Sequence, residues 1–216
     1  MAAVSGGVMS ELQIFSLDSV DSTNETAKRL LREGKLTRGY VVAREQTAGR
    51  GQRGRAWSSP RDAGIYVSIV DRPDRPAGDL TLYTLAAGVA CVEAIRDLTG
   101  MTVAIKPIND LYAQGCKLGG ILTEAVIEQG RTQALITGVG INVRRCDHAL
   151  VEAKAEAISL QELLPVSAFA YFDPGGLVRS VVRQVLEWNA IAAEDDGRSV
   201  RVAWERFRLD DAPTTT

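Results

Sequence analysis

The sequence predicts an α+β fold in which a mixed, largely antiparallel sheet is flanked by helices. Two observations lead to this prediction. Short β-rich segments are spread over the first two thirds of the chain, and longer segments with apolar residues at helical spacing occur in the middle and in the last third. Because strands and helices do not alternate one by one, a parallel sheet made of successive strand–helix–strand units is not expected.

The first part of the chain is predicted to contain one helix and a long loop between strands. Ser22 and Glu25 have the spacing of a capping box, so a helix is predicted to begin here, to run to about Glu33 and to stop at Gly34. The segment 47–62 has little apolar periodicity but contains three glycines and four arginines, which indicates a loop. Strands are predicted over 12–17, 40–43 and 65–70.

The middle of the chain is predicted to form the main core helix and a hairpin. After a connector over 71–78, the segment 79–98 carries apolar residues at helical spacing. Two β-rich runs, 118–127 and 132–143, surround Glu128-Gln129-Gly130, which is a hairpin signal. A short strand is predicted over 103–105, and further helices over 159–164, 173–193 and 200–207.

Length and composition limit the class of protein. The 216 residues are 45% hydrophobic and 24% charged, which is ordinary for one globular domain. The 25 Lys and Arg against 27 Asp and Glu argue against a nucleic-acid-binding protein, which normally has a basic excess. No apolar run approaches the roughly 20 residues that span a membrane. The segment 1–10 lacks the pattern of a signal peptide, and we expect it to be a disordered arm.

Cysteine and histidine are scarce. Cys91, Cys116 and Cys146 are widely spaced, so neither a disulfide framework nor a structural zinc site is expected, and a reducing compartment, the cytoplasm, is predicted. His148 is the one histidine. A Ser–His pair or a site with several histidine ligands would depend on this single residue, to which we assign no catalytic role.

The glycine–arginine loop matches two familiar motifs only superficially. Residues 49–54 fit G-x-G-x-x-G, but 55–60 do not begin the helix that a dinucleotide-binding fold requires after the third glycine. Residues 103–106 spell V-A-I-K, but the sequence contains neither H-R-D nor D-F-G, so a protein kinase is excluded.

The composition of the loop itself suits a polyphosphate ligand. Arg50, Arg53 and Arg55 alternate with glycines, which combines guanidinium donors with accessible backbone N–H groups. Trp57 offers a flat surface for stacking. The alternative is a solvated basic surface loop that Trp57 anchors to the core.

Further segments accompany this loop, and together they resemble the biotin protein ligase family. They are DSVDSTN at 18–24, EQTAGRGQRGRAW at 45–57, IKPINDL at 105–111, KLGGILTE at 117–124 and GVGINV at 138–143. The resemblance implies a catalytic core like that of class II aminoacyl-tRNA synthetases. It also implies a reaction in two steps: biotin and MgATP give biotinyl-5′-AMP and pyrophosphate, and a lysine of the biotin carboxyl carrier domain of a carboxylase then takes the biotinyl group.

The resemblance implies a set of biotin-binding residues. A ureido ring carries two N–H donors and a carbonyl, which suits hydroxyl and amide side chains in a dry pocket. Gln52 stands where the family usually has arginine, so the loop has one positive charge fewer. The implied set is Ser22, Thr23, Asn24, Gln46, Arg50, Gly51, Gln52, Lys117, Gly119 and Gly120.

The resemblance also implies ATP-binding and catalytic residues. Lys117 would stabilise the charge that develops where the biotin carboxylate meets the α-phosphate. Asp110 would be a ligand of Mg²⁺. Pro107 and Ile108 depart from the Trp and Pro that the family usually has before the Asn-Asp pair. The implied ATP-binding residues are Arg50, Arg55, Trp57, Asn109, Lys117 and Asn142, and the implied catalytic residues are Lys117, Arg50, Arg55 and Asp110.

We expect residues 11–210 to form one catalytic domain, with neither a winged helix before it nor a complete β-barrel domain after it. DNA and membranes are not expected as partners, and a homodimer is left open. Two alternatives remain. One is a lipoate-type ligase or acyltransferase, and the other is a non-catalytic biotin- or nucleotide-binding module, which the departures at Gln52, Pro107 and Ile108 would favour.

Overall fold

A seven-stranded sheet forms the centre of the protein in the computed structural model, which describes residues 12–72, 80–128, 131–146 and 156–209. The order across the sheet is β1-β2-β3-β7-β6-β5-β4, and of its six strand pairs β1–β2 is parallel and the other five are antiparallel. The predicted fold class is therefore confirmed. The strands are β1 (Gln13–Leu17), β2 (Gly39–Ala43), β3 (Gly64–Asp71), β4 (Ala104–Lys106), β5 (Asp110–Ala113), β6 (Cys116–Glu128) and β7 (Arg131–Asn142).

Helices cover both faces of the sheet. The helices α2, α5 and α6 pack on one face, where inward-facing residues such as Val67, Val139 and Ile141 join the main hydrophobic core. The helix α1 packs on the opposite face against a smaller cluster that includes Val41 and Ile136. The helices are α1 (Thr23–Arg32), α2 (Leu80–Thr99), α3 (Leu160–Leu163), α4 (Val166–Phe169), α5 (Pro174–Glu194) and α6 (Arg198–Phe207).

The longer elements lie where the sequence predicts them. The helix α1 ends before Gly34, whose φ of +67° is the left-handed conformation that glycine adopts readily. The helix α5 begins after Asp173, whose carboxylate accepts a hydrogen bond from the N–H of Gly175 at 2.9 Å. The strands β6 and β7 form the predicted antiparallel pair. Among the helices of the described ranges, none has both the length and the apolar character that a transmembrane segment requires.

Two short elements were not predicted, and one local prediction is wrong. The strand β5 and the helix α4 were not predicted, because each has only four residues and so shows no periodicity. The predicted capping box of Ser22 and Glu25 is not formed, although Ser22 is the N-cap residue of α1. The backbone N–H of Ser22 donates instead to Asp21 Oδ1 at 2.7 Å, and the Glu25 carboxylate pairs with Lys28.

Several predictions concern residues outside the described ranges. These are the disordered arm over 1–10, most of the connector over 71–78, the turn residues Gln129 and Gly130, and the absence of a catalytic role for His148.

Candidate functional site

Three glycines leave part of the sheet without side chains, on the face that α1 covers. Gly120 of β6 pairs with Gly140 of β7, and Gly138 lies two residues earlier on β7, so all three face the same side. A Cβ on Gly138 would lie 2.4 Å from Asn24 Oδ1, and one on Gly140 would lie 2.5 Å from Trp57 Nε1. Glycine is required at these two positions because other side chains already occupy that space. We call Gly120, Gly138 and Gly140 the glycine floor.

The glycine–arginine loop folds back on itself as an irregular hairpin beside this floor. Gln46 forms an antiparallel bridge with Ser59, and Arg50 forms another with Ala56. The tip of the hairpin is a 3-10 turn over Gln52–Gly54. The segment 46–59 is therefore held by pairs of backbone bonds rather than by a strand of the main sheet.

Trp57 brings the loop to the strand lysine. Its indole ring lies against Gly140 and Gly120, and the Lys117 ammonium lies 5.3 Å from the ring centroid, within the range of a cation–π contact. The same ammonium pairs with Asp110 Oδ1 at 2.8 Å. Trp57 Nε1 is buried and lacks a hydrogen-bond partner within the described part of the chain, and an unpaired buried donor typically costs about 1–3 kcal/mol. The structure therefore places Trp57, Lys117 and Asp110 together, with one donor unsatisfied.

A buried polar network occupies the beginning of α1. The backbone N–H and the hydroxyl of Thr23 both donate to Gln46 Oε1, at 2.8 and 3.0 Å. Gln46 Nε2 in turn donates to Ser59 Oγ at 2.7 Å. These bonds fix the carboxamide of Gln46 so that its oxygen faces α1. Two residues of the predicted biotin site are thus in direct contact, although they are far apart in the sequence.

Asn24 extends the network across the sheet. Its Oδ1 accepts from Ser68 Oγ at 2.5 Å, and its Nδ2 donates to Glu124 Oε2 at 2.8 Å. Ser68 Oγ also lies 2.7 Å from Thr23 Oγ1. These contacts fix which end of the Asn24 side chain is the donor and which is the acceptor.

Three residues that hold this network were not predicted from the sequence: Ser59, Ser68 and Glu124. A weak signal existed for two of them. Ser68 interrupts an otherwise apolar strand, and Glu124 lies four residues after Gly120 on β6 and so faces the same side of the sheet. Neither signal identifies the partner of the side chain, since that partner comes from another element.

Arg50 lies among acidic side chains. Its guanidinium directly contacts the Glu25 carboxylate and lies 3.9 Å from Glu124 Oε1. Lys28 Nζ donates to Glu25 Oε1 at 2.9 Å and to Glu124 Oε1 at 2.8 Å. The hydrogen bond from Lys28 holds the pKa of Glu25 below its usual value. Burial alone would lower the pKa of Lys28, but the bonds to Glu124 and Glu25 outweigh it and raise that pKa.

The two asparagines of the predicted ATP site donate hydrogen bonds to backbone carbonyls. Asn109 Nδ2 donates to the carbonyl of Ile121 at 3.0 Å. Asn142 Nδ2 donates to the carbonyl of Ile158 at 3.1 Å, and Asn142 also borders a cavity of about 60 Å³. Both amides therefore help to hold β6 and its neighbours at the edge of the site.

The structure does not bring every predicted residue to the floor. Gly119 is buried on the opposite face, where a Cβ would lie 2.7 Å from the carbonyl oxygen of Gly140 and 3.1 Å from Leu111. Packing therefore accounts for this glycine. Arg55 is exposed, and its Nε lies 3.4 Å from the carbonyl oxygen of Gln52. Gly51 lies in the loop, and Ser22 is buried at the start of α1.

Several known proteins are similar to this chain in sequence. Residues 16–142 match the family model described as the Biotin/lipoate A/B protein ligase family. The bifunctional ligase/repressor BirA of Bacillus subtilis is 40% identical over 166 residues, which are 76% of this chain and 50% of that protein. The biotin--[acetyl-CoA-carboxylase] ligase of Mycobacterium tuberculosis is 32% identical over 209 residues, which are 90% of this chain and 74% of that protein. The chain spans about half the length of the Bacillus BirA proteins that it matches.

A solved structure shares the fold. The biotin protein ligase from Aquifex aeolicus in complex with biotin and ATP matches with a TM-score of 0.73 and 28% sequence identity, over 91% of this chain and 78% of that chain. The resemblance to biotin protein ligases that the sequence motifs indicate is therefore confirmed in both sequence and fold.

We expect Gly140→Ala to push the Trp57 indole away from the floor, because the new Cβ would lie 2.5 Å from Trp57 Nε1. The free energy of unfolding should fall by about 1–3 kcal/mol, the usual cost of overpacking. Gly120→Ala is the matched control, since its Cβ would lie at an ordinary 3.4 Å from Trp57. Urea unfolding and the indole N–H resonance of Trp57, assigned with Trp57→Phe, measure both effects. Equal behaviour of the two alanine variants would contradict the placement of Trp57.

Proposed function

The chain belongs to the biotin/lipoate A/B protein ligase family, and on that premise we propose that it is an ATP-dependent biotin protein ligase. It activates biotin as biotinyl-5′-AMP, releases pyrophosphate and transfers the biotinyl group to a lysine of a biotin carboxyl carrier domain. The observation that carries this proposal is the contact between Lys117 and Trp57 beside the glycine floor. This contact brings the Lys117 ammonium of β6 together with the glycine–arginine loop. The ligands named for the Aquifex aeolicus structure, biotin and ATP, support the choice of substrates.

The polar network at the start of α1 suits the ureido ring of biotin. Thr23, Asn24 and Gln46 offer hydroxyl and carboxamide groups that are already oriented by neighbouring side chains. A preoriented pocket binds more tightly because less side-chain freedom is lost on binding. We assign the ring to this end of the floor and the carboxylate to the end where Lys117 lies.

In the first step a biotin carboxylate oxygen attacks the α-phosphorus of ATP, and the bond from that phosphorus to the leaving pyrophosphate breaks. Negative charge accumulates on the α-phosphate oxygens, and the Lys117 ammonium is placed to stabilise it. Asp110 holds this ammonium at 2.8 Å before the ligands bind, which keeps it over the floor. Trp57 supplies an aromatic face for stacking. The glycine–arginine loop covers the site and excludes water.

Magnesium fits this site through one protein carboxylate. The described residues contain no group of three or more His, Cys, Asp or Glu side chains that could enclose a metal. Mg²⁺ is commonly bound by one or two carboxylates together with substrate phosphates. Asp110 would hold it, and the ion would neutralise charge on the nucleotide.

The second step needs no nucleophile from this chain. The neutral amine of the carrier lysine attacks the acyl carbon of the mixed anhydride, an amide bond forms, and AMP leaves. We also propose that residues 11–210 form one catalytic domain and that the protein works in the cytoplasm. The free cysteines Cys91, Cys116 and Cys146 are in keeping with a reducing compartment.

The direct test is to incubate the protein with ATP, Mg²⁺ and a biotin carboxyl carrier domain, and to weigh the carrier by mass spectrometry. When biotin is supplied, we expect the mass of the carrier to rise by one biotinyl group. When lipoate is supplied instead, we expect the mass of the carrier to stay unchanged. Addition of lipoate alone would identify a lipoate-type ligase instead. Binding of biotin without any modification of the carrier would identify a non-catalytic module.

Lys117→Ala should lower the rate of adenylate formation by about 100- to 1,000-fold, the usual effect of removing one group that stabilises transition-state charge. Lys35→Ala is the control, because Lys35 is exposed and pairs with Glu33 at the far end of α1. Biotin-dependent exchange of labelled pyrophosphate into ATP measures this step. Near-normal exchange in a folded Lys117→Ala variant would remove Lys117 from its proposed role.

A further inference from the structure

Four charged side chains meet where the glycine–arginine loop approaches α1 and β6. Two are acids, Glu25 and Glu124, and two are cations, Lys28 and Arg50. Both acids are only partly exposed, with 34% and 21% of their side chains accessible. The cluster connects the loop to the network that orients Asn24, because Glu124 Oε2 accepts from Asn24 Nδ2 while its Oε1 faces the cations.

The two cations are not equally fixed. Lys28 is a helical residue whose ammonium bonds both acids, and 23% of its side chain is exposed. Arg50 belongs to the loop, 46% of its side chain is exposed, and it contacts Glu25 directly but Glu124 only at 3.9 Å. If Arg50 left, Lys28 would still neutralise part of the acidic charge. Arg50 is therefore the member of the cluster that can be exchanged at the lowest cost.

The two glycines beside Arg50 are packed differently. A Cβ on Gly51 would lie 3.4 Å from the carbonyl oxygen of Arg55, which is an ordinary van der Waals distance. Gly49 is packed tightly, since a Cβ there would lie 2.3 Å from the carbonyl oxygen of Trp57. The loop is thus anchored just before Arg50 and less restricted just after it.

We propose that Glu25 and Glu124 are positioning residues that hold the Arg50 guanidinium in the ligand-free protein and release it to a carboxylate ligand. This inference rests on the proposed function, in which the glycine–arginine loop that contains Arg50 covers the site. An anion can compete with the two acids for the guanidinium, and an uncharged molecule of the same shape cannot. We call Glu25, Glu124 and the Arg50 guanidinium that they hold the clamp. The clamp slightly lowers the affinity for every anionic ligand, because the ligand must displace the two acids. It also makes closure of the loop depend on the charge of the ligand.

The test is a double-mutant cycle read by calorimetry with biotin and with uncharged biotin amide. We expect Glu25→Gln to tighten biotin binding by about two- to five-fold, the range set by a partly exposed ion pair, and to leave binding of the amide unchanged. In an Arg50→Met background, Glu25→Gln should have no effect on biotin, because the clamp is already empty. Glu33→Gln, which removes an exposed acid at the other end of α1, is the matched control.

The following outcomes would refute the proposal that Glu25 and Glu124 hold Arg50. If Glu25→Gln strengthens biotin binding equally with and without Arg50, the cause is the general loss of negative charge and the clamp is refuted. Equal tightening of biotin and its amide also refutes it. Ligand-free hydrogen exchange of 49–57 gives an independent answer, since only Glu25→Gln, and not Glu33→Gln, should raise it. Failure of the wild-type protein to bind biotin would refute the proposed function, and with it the release of Arg50 to biotin. The hydrogen-exchange data would still decide whether Glu25 holds the loop.

Discussion

The pairing of Gly120 with Gly140 removes side chains from the centre of one face of the sheet, and the rest of the site depends on that space. Trp57 can lie directly on the strands only because Gly140 has no Cβ, and Asn24 can approach β7 only because Gly138 has none. The loop and α1 are thereby brought within reach of Lys117 and Glu124. Strand glycines allow other groups to approach the backbone closely, and here Trp57 and Asn24 are those groups.

Two cations of the site, Lys117 and Arg50, each have an acidic partner within the protein. Lys117 is held by Asp110, and Arg50 is held by Glu25. In the proposed reaction, substrate binding exchanges these partners instead of creating new ion pairs from free charges. Such an exchange gains less affinity than binding to unpaired cations, but it keeps the charged groups in place and avoids an isolated buried charge. Trp57 Nε1 is a further buried donor, and it has no hydrogen-bond partner within the described part of the chain.

Sequence patterns could predict the long elements and the identity of many site residues, but not their partners. Helical spacing of apolar residues was sufficient for α2 and α5, and two β-rich runs around a turn signal were sufficient for the β6–β7 pair. It could not show which glycine of the pair Gly119-Gly120 faces the floor, since a shift of one residue in strand register reverses every side chain. The roles of Ser68 and Glu124 depend on contacts with Asn24, 44 and 100 residues away in the sequence. Such contacts are set by the packing of whole elements.

Hydrogen–deuterium exchange with and without biotin and ATP tests the central claim, that the biotin carboxylate and the α-phosphate of ATP meet at Lys117 under the glycine–arginine loop. We expect new protection in three segments that are far apart in the sequence: 22–24, 49–57 and 117–120. The groove of about 470 Å³ that Leu98, Tyr171 and Phe172 border should stay unchanged and serves as an internal control. Protection confined to that groove, or no change in the three segments at saturating ligand, would contradict the account.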